Sequence, residues 1–449
     1  MKKSNKKNKI QNEKPKMSKL ARTVLIISAA IVVLLAGGII TLNAYNYKPT
    51  VAFYGISEKN QNAIIEVLQK TSERKRGNRK VWPYNIEVLD SMYSLEKALK
   101  SPAQFLSEKK DSHGKFTSET KKARKPDLII MYRGKNADFA VENASKKVSG
   151  FSQEILEGMT TSIKQTASVN IQNNITAVPL LIDNCELDVN RSFLNSRKIE
   201  EFKSLEEFEN VVSKNKIQEG GAPITANFSD SYSFINLFGA IVEATSGISS
   251  LQSASEKIWK ISKSSVAGYN AYQNLIQELS KEGAEFYEAI ELLKRWQNKS
   301  LLPKNINQFT SKDVESFMQA DLSVASFMTL SDHRKIAQKT IQKFSSFYIP
   351  SKNQQRIFTS PVIVAIPNSR NKTVSESVKL LANSMQSELC SRTGLAPVQA
   401  NCSVIDIQAD DVRYWVAASG KPFEGLAESA FKTNGSRNQF AEALKSFLN

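Results

Sequence analysis

Along this chain, apolar residues fall in short unbroken runs that alternate with segments of helical period. Val51 to Tyr54 reads as a buried strand and Gly55 as the turn after it. Ser57 then caps a helix whose apolar face is Ile64, Val67 and Leu68. Tyr84 to Leu89 alternates like a half-buried strand, Leu95 to Leu106 has helical spacing around Pro102, and Lys109 to Lys125 is polar enough for an exposed loop. Leu128 to Met131 is again a buried strand. Strand and helix in alternation predict a doubly wound α/β sheet.

From Ala177 to Ile182 another apolar run forms a strand, after which helical patterns take over. Ser204-Leu-Glu-Glu207 is a capping box that opens a helix to Val212. Helices are predicted over Ser231 to Ser246 with Gly247 closing it, about Ala284 to Asn298, Thr310 to Gln319, Thr373 to Arg392 ending at Gly394, and about Asn438 to Leu448. Leu322 to Met328 and Pro361 to Ile366 complete the strands.

Two strands end in chemistry. PDLIIMYRG stops at Tyr132 and Arg133, and VPLLIDN stops at Asp183 and Asn184. In open α/β sheets, ligands gather at the carboxyl ends of the strands. Tyr54 and Gly55 follow the first strand in the same way, so they either line a cleft floor or form a plain turn. Arg133 has the fork geometry for a carboxylate or for hydroxyls, unless it is a solvated surface side chain. Asp183 either accepts ligand hydroxyls or caps a turn. Asp230 and Ser231 precede a helix and suit its N-cap. Of the four tryptophans, Trp296 belongs to an amphipathic core face, whereas Trp415 is the candidate for a stacking surface.

Charge adds a second layer. The 449-residue chain has a formal net charge of +17, but nine of its basic residues lie in the first 22 positions against Glu13 alone. About +9 then remains for the rest, without aromatic–basic interleaving, which argues against nucleic acid. Thr23 to Tyr47 carries no charge and Val24 to Leu42 is almost wholly apolar, long enough for a membrane span of about 20 residues. The basic flank predicts a cytoplasmic tail at 1–22, a single transmembrane anchor at 23–45 and an extracytoplasmic remainder at the cell membrane, with a cleaved signal peptide as the competing expectation. Cys390 and Cys402 either pair across the Gly394 turn or stay as thiols beside Cys185.

Catalytic signatures do not emerge. His113 and His333 are the only histidines, no nucleophile elbow or phosphate loop is present, and the cysteine spacing matches no metal pattern. The residues therefore ask for no enzyme activity, no cofactor and no metal.

By order and spacing, the segments from Thr50 onward resemble the extracellular solute-binding proteins of ABC importers, in the branch that includes maltose-binding protein. The resemblance rests on five stretches: Val51 to Leu68, the PDLII strand from Pro126, Val178 to Leu194, the capped helix Ser204 to Val212, and Val362 to Gly394 leading into Pro397. It implies a two-lobed, hinged α/β fold of the periplasmic-binding-protein-like II type preceded by one transmembrane helix. Lobe 1 would hold 49–182 with about 345–397, and lobe 2 would hold 183–344 with about 398–449. It further implies a monomer that delivers a small solute, a sugar or oligosaccharide, to ABC permease subunits by closing around it. A membrane-bound sensor or surface interaction protein of the same fold is the alternative. On this resemblance the ligand contacts are Tyr54, Tyr132, Arg133, Asp183, Asp230, Tyr232 and Trp415. The chain departs from the pattern at Val189, Arg191 and Ser192, and it has Phe327 and Met328 where the family carries a stacking Trp.

Overall fold

Two sheets of different character organise the protein. The computed structural model describes residues 48–448, apart from the short segments 72–73, 77–78, 82–83, 90, 101–103, 111–115, 123–124, 145–149, 216–218, 265–266 and 353–358 and most of 403–423. Its strands in chain order are β1 (Thr50–Tyr54), β2 (Arg74–Arg76), β3 (Arg79–Val81), β4 (Asn85–Leu89), β5 (Gln104–Lys110), β6 (Phe116–Lys122), β7 (Leu128–Tyr132), β8 (Ser168–Val169), β9 (Ile175–Ile182), β10 (Cys185–Asn190), β11 (Ile224–Ala226), β12 (Ala325–Thr329), β13 (Phe344–Tyr348), β14 (Val362–Pro367) and β15 (Ala396–Pro397).

The first sheet runs β15-β9-β14-β7-β1-β4, with β8 on β9. β1 lies parallel to β4 and β7, while β14 is antiparallel to β7 and β9, so the sheet is mixed. Strands β1, β7, β9 and β14 are buried at every position. Val51, Phe53, Leu128 and Ile130 face one apolar layer, and Ala52, Tyr54, Ile129 and Met131 face the other. Burial on both faces is why these strands read as continuous apolar runs.

The second sheet, β11-β12-β10-β13, is buried differently. Cys185, Leu187 and Val189 of β10 enter a large core with Phe208, Phe234, Trp296 and Phe327. The alternate residues Glu186 and Asp188 are fully buried on the other face. There the cross-strand register sets Asp188 opposite Ser326 and Ser346, and Thr225 opposite Ser326. Hydroxyl contacts follow that register: Thr225 and Ser326 are 2.6 Å apart, and the Ser346 hydroxyl donates to Asp188.

The chain crosses between the sheets at Asp183–Asn184 and again between β13 and β14, while the helical segment after Thr329 returns to β13 of the same sheet. These crossings are tied together. The Asp183 N–H donates to the Pro361 carbonyl (2.8 Å), the Leu330 N–H to the Asn184 carbonyl (2.9 Å), and the Ser360 hydroxyl to Asn184 Oδ1 (2.8 Å). Both sheets belong to one compact unit, Pro49–Asn449.

Several local expectations give way to tertiary context. The stretch read as helix to Leu106 and then loop is a helix over Met92–Lys100 followed by the β5–β6 hairpin. The helix expected over Thr373 to Arg392 is two, Lys372–Ala382 and Gln386–Thr393, interrupted at Asn383 (φ −125°, ψ −95°). Cys390 and Cys402 are thiols rather than a disulfide; burial first, then the Cys402 thiol beside it, pushes Cys390 well up.

The expected transmembrane anchor, and the single-pass membrane location drawn from it, are corrected. Among the described residues no helix is long and apolar enough to cross a membrane. Even Ser231–Ser246, with 16 residues, is shorter than the roughly 20 a bilayer core takes. Residues 23–45, on which the anchor was placed, lie outside the described residues. The architecture that stands is a two-lobed α/β fold with mixed sheets.

Candidate ligand cleft

The ends of β1 and β7 open onto a small pocket of about 40 Å³. Tyr54, Gly55, Met131 and Tyr132 contribute from the first sheet. Tyr232 comes from the start of the helix Ser231–Ser246, Ala427, Glu428 and Arg437 come from the C-terminal helices, and Phe431 from the link between them. Each piece is placed by a local cause. Asp230 accepts from the Ser233 N–H (2.8 Å) and fixes the helix start that carries Tyr232. Gly425 has φ +96°, and a Cβ there would come within 2.5 Å of Glu428 Oε2 and 2.7 Å of Asn236 Oδ1. Only glycine lets the backbone turn beside those two polar groups.

Two tyrosines form the centre. Tyr132 and Tyr232 lie with ring centroids 5.5 Å apart, tilted by 34°. The Tyr132 hydroxyl sits 3.5 Å from Asp183 Oδ2, and Ser331 donates to Asp183 through both its N–H (3.1 Å) and its hydroxyl. The Arg437 guanidinium lies 5.4 Å from the Tyr232 ring centre, a cation–π contact. Asn136 Nδ2 reaches Tyr54 Oη at 3.5 Å and the Phe431 carbonyl at 3.3 Å.

Burial sets the electrostatics. It pushes the Glu428 carboxyl up to about 7, against the lowering pull of Tyr232, Asn236 and Arg437. It likewise pushes Asp183 up to about 6, although the Ser331 and Asn184 hydrogen bonds favour the charged form. Tyr132 and Tyr232 are both held well above the ordinary phenol range by burial. Three polar atoms of lining residues, Asn136 Oδ1, Tyr232 Oη and Glu428 Oε2, are buried without a hydrogen-bond partner. Unmet polar atoms beside aromatic faces suit a ligand that brings its own hydroxyls.

The structure distributes the sequence candidates unevenly. Tyr54, Tyr132 and Tyr232 line the cavity together, and Asp183 stands directly behind Tyr132. Arg133 does not join them: its Nη1 pairs with Asp138 at 2.5 Å and its Nε donates to the Thr166 carbonyl at 3.2 Å. Asp230 serves as the helix cap. Trp415 lies outside the described residues. Glu428, Asn136 and Arg437 escape sequence reasoning; the one available signal is a carboxylate set in the otherwise small and apolar stretch Gly425 to Phe431.

A second polar cluster lies behind the four-stranded sheet. His333, at the end of the helix Leu330–His333, places Nδ1 2.6 Å from Glu186 Oε1 and 3.4 Å from Asp188 Oδ2, with all three side chains fully buried. Burial would lower the imidazole, but Asp188 and Glu186 together hold it up at about 10. Burial, then Asp188, pushes Glu186 up to about 7. The period-two alternation in CELDVN was the signal for two carboxylates on one face; nothing local pointed to His333.

No family model matches the sequence, and no curated relative matches it. The fold does match solved structures. One is the bacterial solute receptor AcbH, described as having an exclusive preference for β-D-galactopyranose. It shares 11% identity over 89% of this chain and 99% of its own, with a TM-score of 0.57. Another is the solute-binding protein RafE in complex with raffinose, at 12% identity over 89% and 98%, with a TM-score of 0.54. A third comes from the thermophilic bacterium Caldanaerobius polysaccharolyticus, described in connection with xylan utilisation, at 12% identity over 89% and 96%, again with a TM-score of 0.54. At such identities the likeness establishes the two-lobed solute-binding-protein fold.

Proposed function

We propose that this protein is a non-enzymatic solute-binding protein that holds a sugar or short oligosaccharide in the cleft and presents it to an ABC importer. The observation that carries this reading is the cavity itself, where two tyrosine faces stand beside three buried polar atoms that have no partner. A polyhydroxylated ligand meets both needs, packing its C–H faces on Tyr132 and Tyr232 and its hydroxyls against Asn136 and Glu428. The neighbouring structures described as galactopyranose- and raffinose-binding support the same ligand class.

Delivery follows from the crossings between the sheets. Ligand bound to residues of both lobes favours whichever arrangement brings them together, so binding shifts the population toward a closed form. Asp183, whose N–H donates to the Pro361 carbonyl, links the two crossings and gives the motion a pivot.

A thermal-shift screen of the protein against mono- and oligosaccharides, amino acids, peptides and polyamines tests the ligand class. A sugar is expected to raise the melting temperature by mass action, and Tyr232→Ala to reduce the rise. A response to amino acids or polyamines alone would sink the sugar assignment. Small-angle scattering with the hit compound tests closure, with a smaller radius of gyration expected on binding.

A further inference from the structure

Glu186, Asp188 and His333 converge where no ligand-binding role places them. β10 sends the two carboxylates to the same side by its two-residue period, and the helix after β12 folds His333 over them. All three side chains are fully buried. His333 Nδ1 is shared between Glu186 Oε1 and Asp188 Oδ2, whereas His333 Nε2 and Glu186 Oε2 are buried without a hydrogen-bond partner. Buried charges in such surroundings are ordinarily both paired and hydrogen-bonded.

Charge points the same way. An imidazolium balances only one of two carboxylates, whereas a divalent cation with a neutral imidazole balances both. The three candidate donor atoms all lie within 4.8 Å of one another. Bond lengths of about 2.0–2.2 Å to a tetrahedral ion would set neighbouring donors about 3.4 Å apart. The Nδ1–Oδ2 separation is 3.4 Å, and the Nδ1–Oε1 separation of 2.6 Å needs a shift of under about 1 Å to fit. Ser346 already donates to the other oxygen of Asp188, the kind of outer hydrogen bond that orients a ligating carboxylate.

We propose that Glu186, Asp188 and His333 form a site for a divalent transition-metal ion, Zn²⁺ in the first instance. The mixed oxygen and imidazole donors favour such an ion over Mg²⁺ or Ca²⁺, which take oxygen alone. The ion's role is structural. It ties β10, which starts at the Asp183–Asn184 crossing, to the segment after β12, and so stiffens that side of the hinge.

The test uses the full chain, stripped with a chelator and offered Zn²⁺ both folded and during refolding from denaturant, so that burial cannot block entry. Metal analysis after gel filtration is expected to find one equivalent per chain, with a raised melting temperature that chelator reverses. Co²⁺ in place of Zn²⁺ is expected to give visible d–d absorption, a readout on unmutated protein. Ser346→Ala should weaken the metal about tenfold, and His333→Ala should remove it. No stoichiometric metal by either route, no Co²⁺ bands and an unchanged melting temperature would overturn the proposal and leave a proton-bridged ion pair. Retention of the metal by His333→Ala would overturn it equally.

Discussion

The cleft and the cluster behind β10 hold the same kinds of group in opposite settings. Both contain carboxylates that burial pushes towards neutrality. In the cleft, Glu428 lines a small pocket beside Tyr232 and Arg437. Behind the sheet, Glu186 and Asp188 face the buried imidazole of His333. A buried charge beside a void is therefore a question put to a ligand, while a buried charge beside another charge is a matter of holding the fold together. The flanking apolar layers explain the contrast. The first sheet is covered on both faces and offers only its strand ends, whereas the second covers one face and leaves the other polar.

Removing the imidazole from the cluster breaks the comparison most sharply. His333→Ala leaves two buried carboxylates uncompensated and is expected to cost about 3–5 kcal/mol in urea unfolding. A cost below about 1 kcal/mol would mean that water or protons already neutralise the site.

Next comes the pH response of the cleft. The Glu428 carboxyl has a folded value of about 7 against an ordinary 4.5, so the folded state binds its proton more readily. Its contribution is fully present below about pH 4.5 and is lost as the pH rises through about 7. Wild type should lose on the order of 3 kcal/mol relative to Glu428→Gln between those limits. Parallel pH–stability curves for the two proteins would show that Glu428 is better hydrated than its burial implies.

Smaller effects sharpen the assignment of individual side chains. Tyr232→Ala removes one face of the aromatic pair and should weaken sugar binding by about 1–2 kcal/mol by calorimetry. Asp230→Ala should lower stability by about 1 kcal/mol through the lost cap, with ligand affinity following only as far as Tyr232 shifts. Smallest is Arg133→Ala, whose partner Asp138 is largely solvent-exposed; sugar affinity should change by less than about 0.5 kcal/mol. A tenfold loss of affinity there would return Arg133 to the ligand.

Much of this was legible in the residues, for reasons that differ by element. Val51 to Tyr54 and Leu128 to Tyr132 were readable as strands because both their faces are buried; Tyr54 and Tyr132 stood out at strand ends and Tyr232 through the family resemblance, and the structure sets all three around one pocket. Arg133 misled because a strand end says where a side chain starts, not which way it turns; Asp138, one helical turn on, claimed it. The β5–β6 hairpin was hidden by its polar composition; its two strands pair with each other. Helices Ile248–Ser262 and Tyr269–Leu279 also went unread.

The sequence alone determined what is local: which runs are apolar on both faces, where Asp230 starts a helix and Gly394 ends one, and that Glu186 and Asp188 share a side of their strand. Period and capping act over a few residues, so those residues suffice to reveal them. Only the tertiary structure decided that Glu428 would adjoin Tyr232 and that His333 would settle on Glu186, about 150 positions from where that strand began. Such meetings depend on how the chain crosses between two sheets, and burial then changes the charge state of every group that meets there.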